Sequence, residues 1–438
     1  MLEKLGANRA VDLGLVDNTG VDMFQVPTRF KEVIEKSPGT DRQYLAHPDL
    51  LQTKTGRIIL AYVKGHGKGP IIMRISDDGG KTFVEKTDTP KSWEESYETP
   101  TIYTLNFSDG RKYLILISGC AGWAPEEPSG FYTSISKDNG ETWTELKCFY
   151  PELEEGKKHF TTVVMSSLIQ VKDAAGNYID KWMGVYHNGH DFKNYISYLS
   201  FDEEGMDKWS EPRPYLSEYR ELENKYQICE VCLIRDPNPE SKEILAIART
   251  QAHNAPATYF FSYDEGETWT EPQETSLALT GERHKAVFDS VSGKLILSFR
   301  EIVRNPNDWA AGDWIAWVGT YESARQGGNI SATKGDNKSA GQGDNKSRTQ
   351  DGSESPQEYR LLLARDYTQN ERGGDTGYSG VLCLPNNDIM LVGYGHFDEE
   401  FSKSWNDEIW RDLSYILKLQ FKLEDLENYI AESPESKL

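Results

Sequence analysis

Residues 262–269 read Ser-Tyr-Asp-Glu-Gly-Glu-Thr-Trp and follow the pattern Ser-x-Asp-x-Gly-x-Thr-Trp, which recurs along the chain. Residues 136–143 repeat the pattern in full, and residues 76–83 repeat it with Phe in place of Trp. A stretched fourth copy, with the same Ser, Asp, Gly and Trp, covers residues 200–209. A single octapeptide of this kind is a common turn. Three close copies, each after a short apolar or aromatic run, predict a repeated β architecture.

The residue types of this box are those of a tight turn between two strands. The Asp264 carboxylate can accept hydrogen bonds from backbone N–H groups, and Gly266 can adopt the positive φ that such a turn needs. Thr268 and Trp269 are expected to begin the next strand, with the indole packed across the turn. We therefore expect the boxes to build hairpins and to take no part in chemistry.

A larger unit of two strands joined by a polar turn recurs six times. The second, apolar strands begin at residues 57, 112, 181, 243, 294 and 388, which are 55, 69, 62, 51 and 94 residues apart. Aromatic residues make up 11% of the chain, and Gly and Pro number 37 and 19, a mix that favours short strands and turns. The near-constant period predicts an all-β fold, namely a six-bladed β-propeller.

The propeller is expected to cover residues 41–423. Residues 1–40 would run over the surface to the first blade, and residues 424–438 would form an acidic tail. The last interval between units is long because of residues 326–357, which are rich in Gly, Ser, Asn, Asp and Lys. Such a composition cannot bury a core, so it predicts a disordered surface insertion.

Charge and composition limit the partners. The formal net charge is −22, so nucleic acid is not an expected partner, and an acidic sugar would need a local cluster of Arg. No apolar run of membrane-spanning length is present, so no membrane partner is expected. The first residues lack the apolar core of a secretory signal, and we expect a cytoplasmic protein. The five Cys show no metal-ligand spacing, and we expect neither a metal nor another cofactor.

One rim of the propeller is expected to hold the functional site. The two inner strands of each unit form an antiparallel hairpin, so the start of the first and the end of the second meet at the rim opposite to the boxes. Loops at one face of a rigid scaffold commonly hold a site. The ionisable and polar residues at this rim are His47, Asp49, His66, Glu98, Thr99, Cys120, Trp123, His187, His190, Asp191, Glu230, Arg249, Gln251, His253, Arg283, His284, Arg300, Glu301, Arg304, Arg372, Asp375, Tyr378, Tyr394 and His396.

The boxes and several rim residues together resemble the sialidase family, over roughly residues 40–423. The resemblance implies a Glu followed on the next strand by an Arg, and Glu230 and Arg249 match that pair. It implies a further Arg in the fifth blade, which is Arg300 or its rival Arg304. It also implies a nucleophilic Tyr in a Tyr-Ser strand start of the sixth blade, which is Tyr378.

Elementary chemistry is consistent with these roles. A free phenol has a pKa near 10, so Tyr378 needs a carboxylate such as Glu230 to take its proton and a nearby Arg to favour the phenolate. A Tyr nucleophile departs from the usual scheme of two carboxylates. It suits a sugar with a carboxylate beside the anomeric carbon, because a neutral nucleophile is repelled less. Arg249 and Arg300 would then hold the sugar carboxylate in a bidentate clamp.

Three positions depart from the family pattern. The first Arg of the family, two residues before a Pro, is Ala46 here. The acid Asp after the second strand of the first blade is replaced by Gly-His-Gly at residues 65–67, and the Glu at the end of the sixth hairpin is Gly395. These departures leave open which acidic sugar, sialic-acid-like or uronic, the site accepts.

The resemblance favours a sialidase-like exo-glycosidase, a glycoside hydrolase that removes a terminal acidic sugar from an oligosaccharide or glycoconjugate. Tyr378 would be the nucleophile, Glu230 its base partner, and Asp49 or His66 the proton donor. The residues expected to bind the substrate are Arg249, Arg300, Arg304, Gln251, His47, His187 and His190. Two alternatives remain open, a polysaccharide lyase or uronic-sugar hydrolase with His and Tyr as acid and base, and a non-catalytic carbohydrate-binding propeller.

Overall fold

The computed structural model describes residues 20–37, 44–65, 69–95, 99–120, 129–150, 160–161, 163–303, 312–328, 346–348, 354–356, 358–367, 375–399 and 414–438. Apart from one separate pair of short strands, the described strands form six sheets of four or five strands, arranged as the blades of a β-propeller, so the predicted fold is confirmed. Two of the strands come from the N-terminal segment, β1 (Asp22–Gln25) and β2 (Lys31–Lys36).

The other strands follow in chain order, from the inside of each blade outwards. Blade 1 has β3 (Leu45–Gln52), β4 (Ile58–Lys64), β5 (Ile71–Ser76) and β6 (Val84–Glu85); blade 2 has β7 (Thr101–Asn106), β8 (Lys112–Cys120), β9 (Gly130–Ser136) and β10 (Lys147–Phe149); blade 3 has β11 (Ser167–Lys172), β12 (Tyr178–His187), β13 (Asn194–Phe201), β14 (Asp207–Trp209) and β15 (Arg213–Pro214).

The second half of the ring repeats this order. Blade 4 has β16 (Ile228–Arg235), β17 (Ile244–Thr250), β18 (Thr258–Ser262) and β19 (Gln273–Glu274); blade 5 has β20 (Gly281–Phe288), β21 (Leu295–Glu301) and β22 (Trp314–Gly319); a separate pair is β23 (Lys346–Arg348) and β24 (Glu354–Pro356); β25 (Tyr359–Ala364) completes blade 5; blade 6 has β26 (Gly380–Cys383), β27 (Asp388–Gly395) and β28 (Tyr415–Lys422). The α-helices of the described residues are α1 (Arg220–Tyr226), α2 (Tyr321–Arg325) and α3 (Leu423–Glu432).

The N-terminal segment takes part in the propeller. β2 pairs antiparallel with β28 as the outermost strand of blade 6, with Lys31 opposite Leu419. β1 adds parallel to β25 at the outer edge of blade 5. The expectation that residues 1–40 only cross the surface is therefore corrected for the strands β1 and β2. β2 buries little of its surface, so its sequence lacks the apolar run that marks an inner strand.

The boxes form the turns between the third and fourth strands of their blades. In blade 4, Asp264 accepts hydrogen bonds from Thr268 N at 2.9 Å, Thr268 Oγ1 at 2.6 Å and Ser262 Oγ at 2.9 Å. The indole of Trp269 is buried and donates to Gly266 O at 3.2 Å. Thr268 and Trp269 thus lie in the turn, four or more residues before β19, and the expectation that they begin the next strand is corrected. The bonds of Thr268 to Asp264 and of Trp269 to Gly266 hold both residues in the loop.

The glycine of each box also joins neighbouring blades. A Cβ on Gly266 of blade 4 would lie 2.2 Å from Met183 Sδ of blade 3, and one on Gly140 of blade 2 would lie 2.4 Å from Ile59 Cδ1 of blade 1. Both glycines have positive φ, 86° and 85°. The apolar clusters likewise combine strands of adjacent blades, so the core of the propeller lies between its sheets.

Two further parts of the chain bear on the domain predictions. Within the predicted insertion at 326–357, β23 pairs with β24. Residues 329–345, 349–353 and 357 lie outside the described residues, so disorder there stays a prediction. The acidic stretch after residue 423 contains α3, whose Leu426 is fully buried. Every helix in the described ranges is too short or too polar to cross a membrane.

Candidate active site

The innermost strands of three blades break their pairing near the start of the strand. In blades 1, 4 and 5 a residue inside this irregularity has a left-handed backbone, namely His47 (φ 53°), Glu230 (φ 49°) and Arg283 (φ 57°). Such a conformation costs a non-glycine residue about 1–3 kcal/mol, and a bulge re-aims its side chain. All three side chains lie against the ring or hydroxyl of Tyr378 in blade 6. Three residues with a strained backbone, one from each of these blades, therefore lie against the same tyrosine.

Tyr378 lies just before β26 and is 7% exposed. Its hydroxyl donates a hydrogen bond to Glu230 Oε1, and Arg249 Nη1 donates to Glu230 Oε1 at 2.9 Å and to Tyr378 Oη at 3.0 Å. The Arg300 guanidinium carbon lies 5.3 Å from the centre of the phenol ring. A Cβ at the preceding Gly377 would lie 2.6 Å from the Arg300 backbone nitrogen, so glycine allows blades 5 and 6 to approach this closely.

Burial sets the protonation of this pair. Burial raises the pKa of Tyr378 well above that of a free phenol, and Glu230 raises it further against the opposing effects of Arg249 and Arg300. Burial also acts to raise the pKa of Glu230, but Arg249 and the Tyr378 hydrogen bond outweigh it and leave the pKa below its usual value. The resting pair is therefore a neutral phenol donating to a carboxylate, which is the state from which the phenol proton can move to Glu230.

A second carboxylate, Glu282, bridges the two arginines predicted to bind substrate. Arg249 Nη2 lies 2.8 Å from Glu282 Oε1, and Arg300 Nη1 lies 2.9 Å from Oε2. His253 Nε2 lies 2.7 Å from Oε1. Burial acts to raise the pKa of Glu282, but Arg249 and Arg300 outweigh it and lower the pKa to about 2. We call the following residues the Tyr378 cluster: Tyr378, Glu230, Arg249, Glu282 and Arg300.

Asp375 extends the cluster towards blades 1 and 6. It accepts hydrogen bonds from the hydroxyl of Tyr394 at 2.6 Å, from Arg300 Nη2 at 3.0 Å, and from the hydroxyl of Tyr44. Arg300 also donates from Nε to the Thr376 carbonyl at 2.6 Å. All of the guanidinium nitrogens of Arg300 are thus engaged by protein oxygens, two of them carboxylates.

Two of the predicted histidines adjoin the cluster. The His47 ring lies 4.9 Å from the Tyr378 ring and 5.0 Å from the Tyr394 ring, centre to centre. Burial lowers the pKa of His187 to about 4, and Arg249 lowers it further while Glu230 opposes the shift. His187 is therefore neutral near pH 7.

No contact of the described residues joins Asp49 to the Tyr378 cluster. Its carboxylate accepts hydrogen bonds from the backbone N–H groups of Leu50 at 3.0 Å and Ile102 at 3.1 Å, and from Lys285 Nζ at 3.1 Å. All these partners are donors, so Asp49 acts as an acceptor that ties blades 1, 2 and 5 together. The geometry gives no support to its assignment as the proton donor.

The remaining predicted residues contribute no described contact to the cluster. His190 is exposed, and its ring lies 4.9 Å from that of Phe160. Gln251 follows β17 and donates its backbone N–H within blade 4. Two candidates, His66 and Arg304, lie outside the described residues.

Sequence reasoning gave no role to Glu282, although the sequence carries a signal for it. Glu230 and Arg249 are 19 residues apart, and Glu282 and Arg300 are 18 apart in the next blade. A comparison of the two units would have found the second Glu–Arg pair. Arg283, His253 and Asp375 belonged to the predicted rim without an assigned role.

The cluster combines a buried phenol, a carboxylate acceptor and a guanidinium that touches both. Such a set can produce a phenolate at the moment of attack and stabilise the negative charge as it moves. Within the described ranges, no group of three or more His, Cys, Asp or Glu side chains could hold a metal ion.

Comparison with known proteins agrees with the fold. Residues 94–297 match the sequence model of a BNR repeat-like domain. A comparison with curated protein sequences gives no match. Among solved structures, the NanB sialidase from Streptococcus pneumoniae is 14% identical with a TM-score of 0.51, over 91% of this chain and 72% of that one.

Two other solved structures are similar to this chain to a comparable degree. The leech intramolecular trans-sialidase is 12% identical with a TM-score of 0.53, over 91% of this chain and 71% of that one. The α-L-arabinofuranosidase Arb93A from Fusarium graminearum is 12% identical with a TM-score of 0.52, over 93% and 98%. At these identities the likeness is one of fold, shared by sialidases and an arabinofuranosidase. The chain is thus a six-bladed β-propeller whose residues 94–297 match a BNR repeat-like domain, and its fold is similar to that of sialidases and of an arabinofuranosidase.

Proposed function

We propose that this protein is a retaining exo-glycosidase in which Tyr378 is the nucleophile and Glu230 takes its proton. The observation that carries the proposal is the contact of the Tyr378 hydroxyl with Glu230, to which Arg249 adds hydrogen bonds on both partners. Three strained bulge residues aim at the same phenol, which is unusual for a tyrosine that only packs. The solved structures with this fold include glycosidases of two kinds.

The first half of the reaction forms a glycosyl–tyrosine. The Tyr378 oxygen attacks the anomeric carbon while its proton passes to Glu230. The bond from the anomeric carbon to the leaving oxygen breaks, and the leaving oxygen keeps the electron pair and takes a proton from a general acid. Arg249 donates to both oxygens between which the proton moves, so it stabilises negative charge on either one.

The second half regenerates the enzyme. Water attacks the anomeric carbon and gives its proton to the group that served as the acid. The bond to Tyr378 breaks, and the phenolate takes its proton back from Glu230. Two displacements at one carbon give net retention of configuration. His66, which follows the second strand of blade 1, remains the proposed acid, because Asp49 is held as an acceptor.

A screen for released reducing sugar on sialylated, uronic and neutral oligosaccharides tests the proposal. The Tyr378→Phe variant should lose activity by on the order of 10³ or more, as an enzyme that loses its nucleophile does. Tyr215→Phe is the matched control, since Tyr215 is a buried tyrosine packed on Trp269 whose hydroxyl has no hydrogen bond among the described residues. It should keep full activity.

Other outcomes of the same screen identify the alternatives. Full activity of Tyr378→Phe excludes the mechanism. An unsaturated product that absorbs in the ultraviolet indicates a lyase. Sugar binding without turnover across the whole panel indicates a binding propeller.

A further inference from the structure

The position predicted to bind a substrate carboxylate holds a carboxylate of the protein. In the sequence-based hypothesis, Arg249 and Arg300 form a clamp for an acidic sugar. In the fold, one oxygen of Glu282 faces each arginine, at 2.8 Å from Arg249 and 2.9 Å from Arg300. Glu282 makes the bidentate, charge-assisted contacts that a sugar carboxylate would otherwise make.

Glu282 is built into this place. It is 1% exposed, and His253 adds a third contact at 2.7 Å to the oxygen that faces Arg249. It precedes the bulge residue Arg283, whose Nη1 donates to the Ser166 carbonyl of blade 3 at 3.1 Å. A rotation of Glu282 away from the arginines would leave buried charges without their partner, which is strongly unfavourable.

Among the described residues, the charges around Tyr378 already balance. The guanidinium groups found there in this part of the chain belong to Arg249, Arg283 and Arg300. The three carboxylates bonded to Tyr378 or to these arginines belong to Glu230, Glu282 and Asp375. A sugar carboxylate would add a fourth negative charge in a buried site of a chain whose net charge is −22. Like charges forced together in an interface cost several kcal/mol.

A cavity beside His253, the histidine that contacts Glu282, has a weakly polar lining. This cavity has a volume of about 330 Å³, and none of its described lining residues is a Lys, Arg, Asp or Glu. Its walls include Pro256 and Leu277 from blade 4, with Ile302 and Val303 after β21. This volume is within the range of small-molecule sites, and its lining suits an uncharged group.

We propose, on the basis of the glycosidase function above, that the site takes a terminal sugar without a carboxylate, and that Glu282 fills the carboxylate position of the clamp from within. The two arginines then contact side chains of the protein and do not bind a substrate carboxylate. Arg249 supports the proton transfer between Tyr378 and Glu230, and Arg300 fixes the ring face of Tyr378. The substrate is a neutral hexose or pentose, in place of the acidic sugar that the sequence suggests.

Matched glycosides that differ only in a carboxylate provide the test. One pair is a sialoside and its carboxyl-reduced counterpart with a hydroxymethyl group, and the other is a glucuronide and the corresponding glucoside. Wild-type protein should prefer the neutral member of a pair by about tenfold or more in kcat/KM, the effect of one unpaired buried charge. A preference for the carboxylate, or no preference, overturns the inference.

Calorimetric measurement of the binding of the same matched glycosides separates the two proposals. If no glycoside is hydrolysed, the proposed function fails, whereas the preference between bound neutral and anionic sugars still tests the role of Glu282. Tighter binding of the neutral member supports that role. Equal or weaker binding of it overturns the inference.

Glu282→Gln tests the same idea within the protein. Removal of one negative charge should raise the ratio of anionic to neutral substrate, in kcat/KM or in affinity, by about tenfold. Glu243→Gln is the matched control, because Glu243 is a buried carboxylate paired with Arg325 at 2.7 Å and lies at the other end of β17 from Arg249. An unchanged ratio in a folded Glu282→Gln protein contradicts the inference. The comparison in wild-type protein stands whether or not the variant folds.

Discussion

Tyr378 donates its hydroxyl hydrogen to Glu230, although the two residues are 148 positions apart and lie in blades 6 and 4. A contact of this kind across the centre of a propeller exists only when the ring has closed. Arg249 holds both partners at about hydrogen-bond distance, 2.9 and 3.0 Å. The reactivity of the phenol therefore depends on the complete fold.

Replacement of Glu230 by Gln should leave the fold intact and slow the reaction. The amide can still receive a hydrogen bond from Tyr378, but it cannot take the proton, and loss of a general base lowers rates by about 10²–10⁴-fold. Steady-state kinetics should show the loss in kcat, with KM little changed. A kcat within threefold of the wild-type value would mean that another group deprotonates Tyr378 or that no proton moves there.

Stability should fall as the pH drops from about 6.5 towards about 4. Burial lowers the pKa of His187 and of His284 from 6.5 to about 4 in the folded protein. The unfolded chain therefore binds these protons first as the pH falls, and folding loses on the order of 3 kcal/mol per histidine across the window. Denaturant unfolding at several pH values measures this slope.

A variant isolates one of the two histidines. His187→Asn removes one titrating group next to Glu230 and Arg283, so the loss of stability between pH 6.5 and 4 should be about half as large. A pH profile identical to that of the wild-type protein would show that His187 is not buried in its neutral form.

The close contact of the box glycine Gly266 with the neighbouring blade should affect the free energy of unfolding. Gly266→Ala places a Cβ 2.2 Å from Met183 Sδ, whereas Gly110→Ala at the same φ of 86° has nothing within 4 Å. Both variants carry the cost of alanine at positive φ. The free energy of unfolding should fall by about 1–3 kcal/mol more for Gly266→Ala than for Gly110→Ala, which is the usual effect of overpacking. Equal losses would show that the box glycine serves only its turn.

The fold was predictable because its signals are local. The bonds of Asp264 to Ser262 and Thr268 lie within one box, so each copy specifies its own turn, and six units then predict six blades. The outer strand β2 was missed because it has little apolar character, and its partner β28 lies at the other end of the chain.

The site was predictable only in part. Glu230, Arg249 and Tyr378 were selected by residue type and position, and the structure brings them into contact. The bulges were not visible, because Glu230 and Arg283 are residue types that seldom adopt the left-handed region. The effect of a bulge on side-chain direction is what places these residues at Tyr378.

The most direct test is the mass of the protein after reaction with a glycoside that carries fluorine beside the anomeric carbon, which slows release of the intermediate. The mechanism predicts one added sugar on the peptide that contains Tyr378 and no addition to the Tyr378→Phe variant. Attachment of the sugar to Glu230 or to another carboxylate, or hydrolysis with inversion and no adduct, would contradict it.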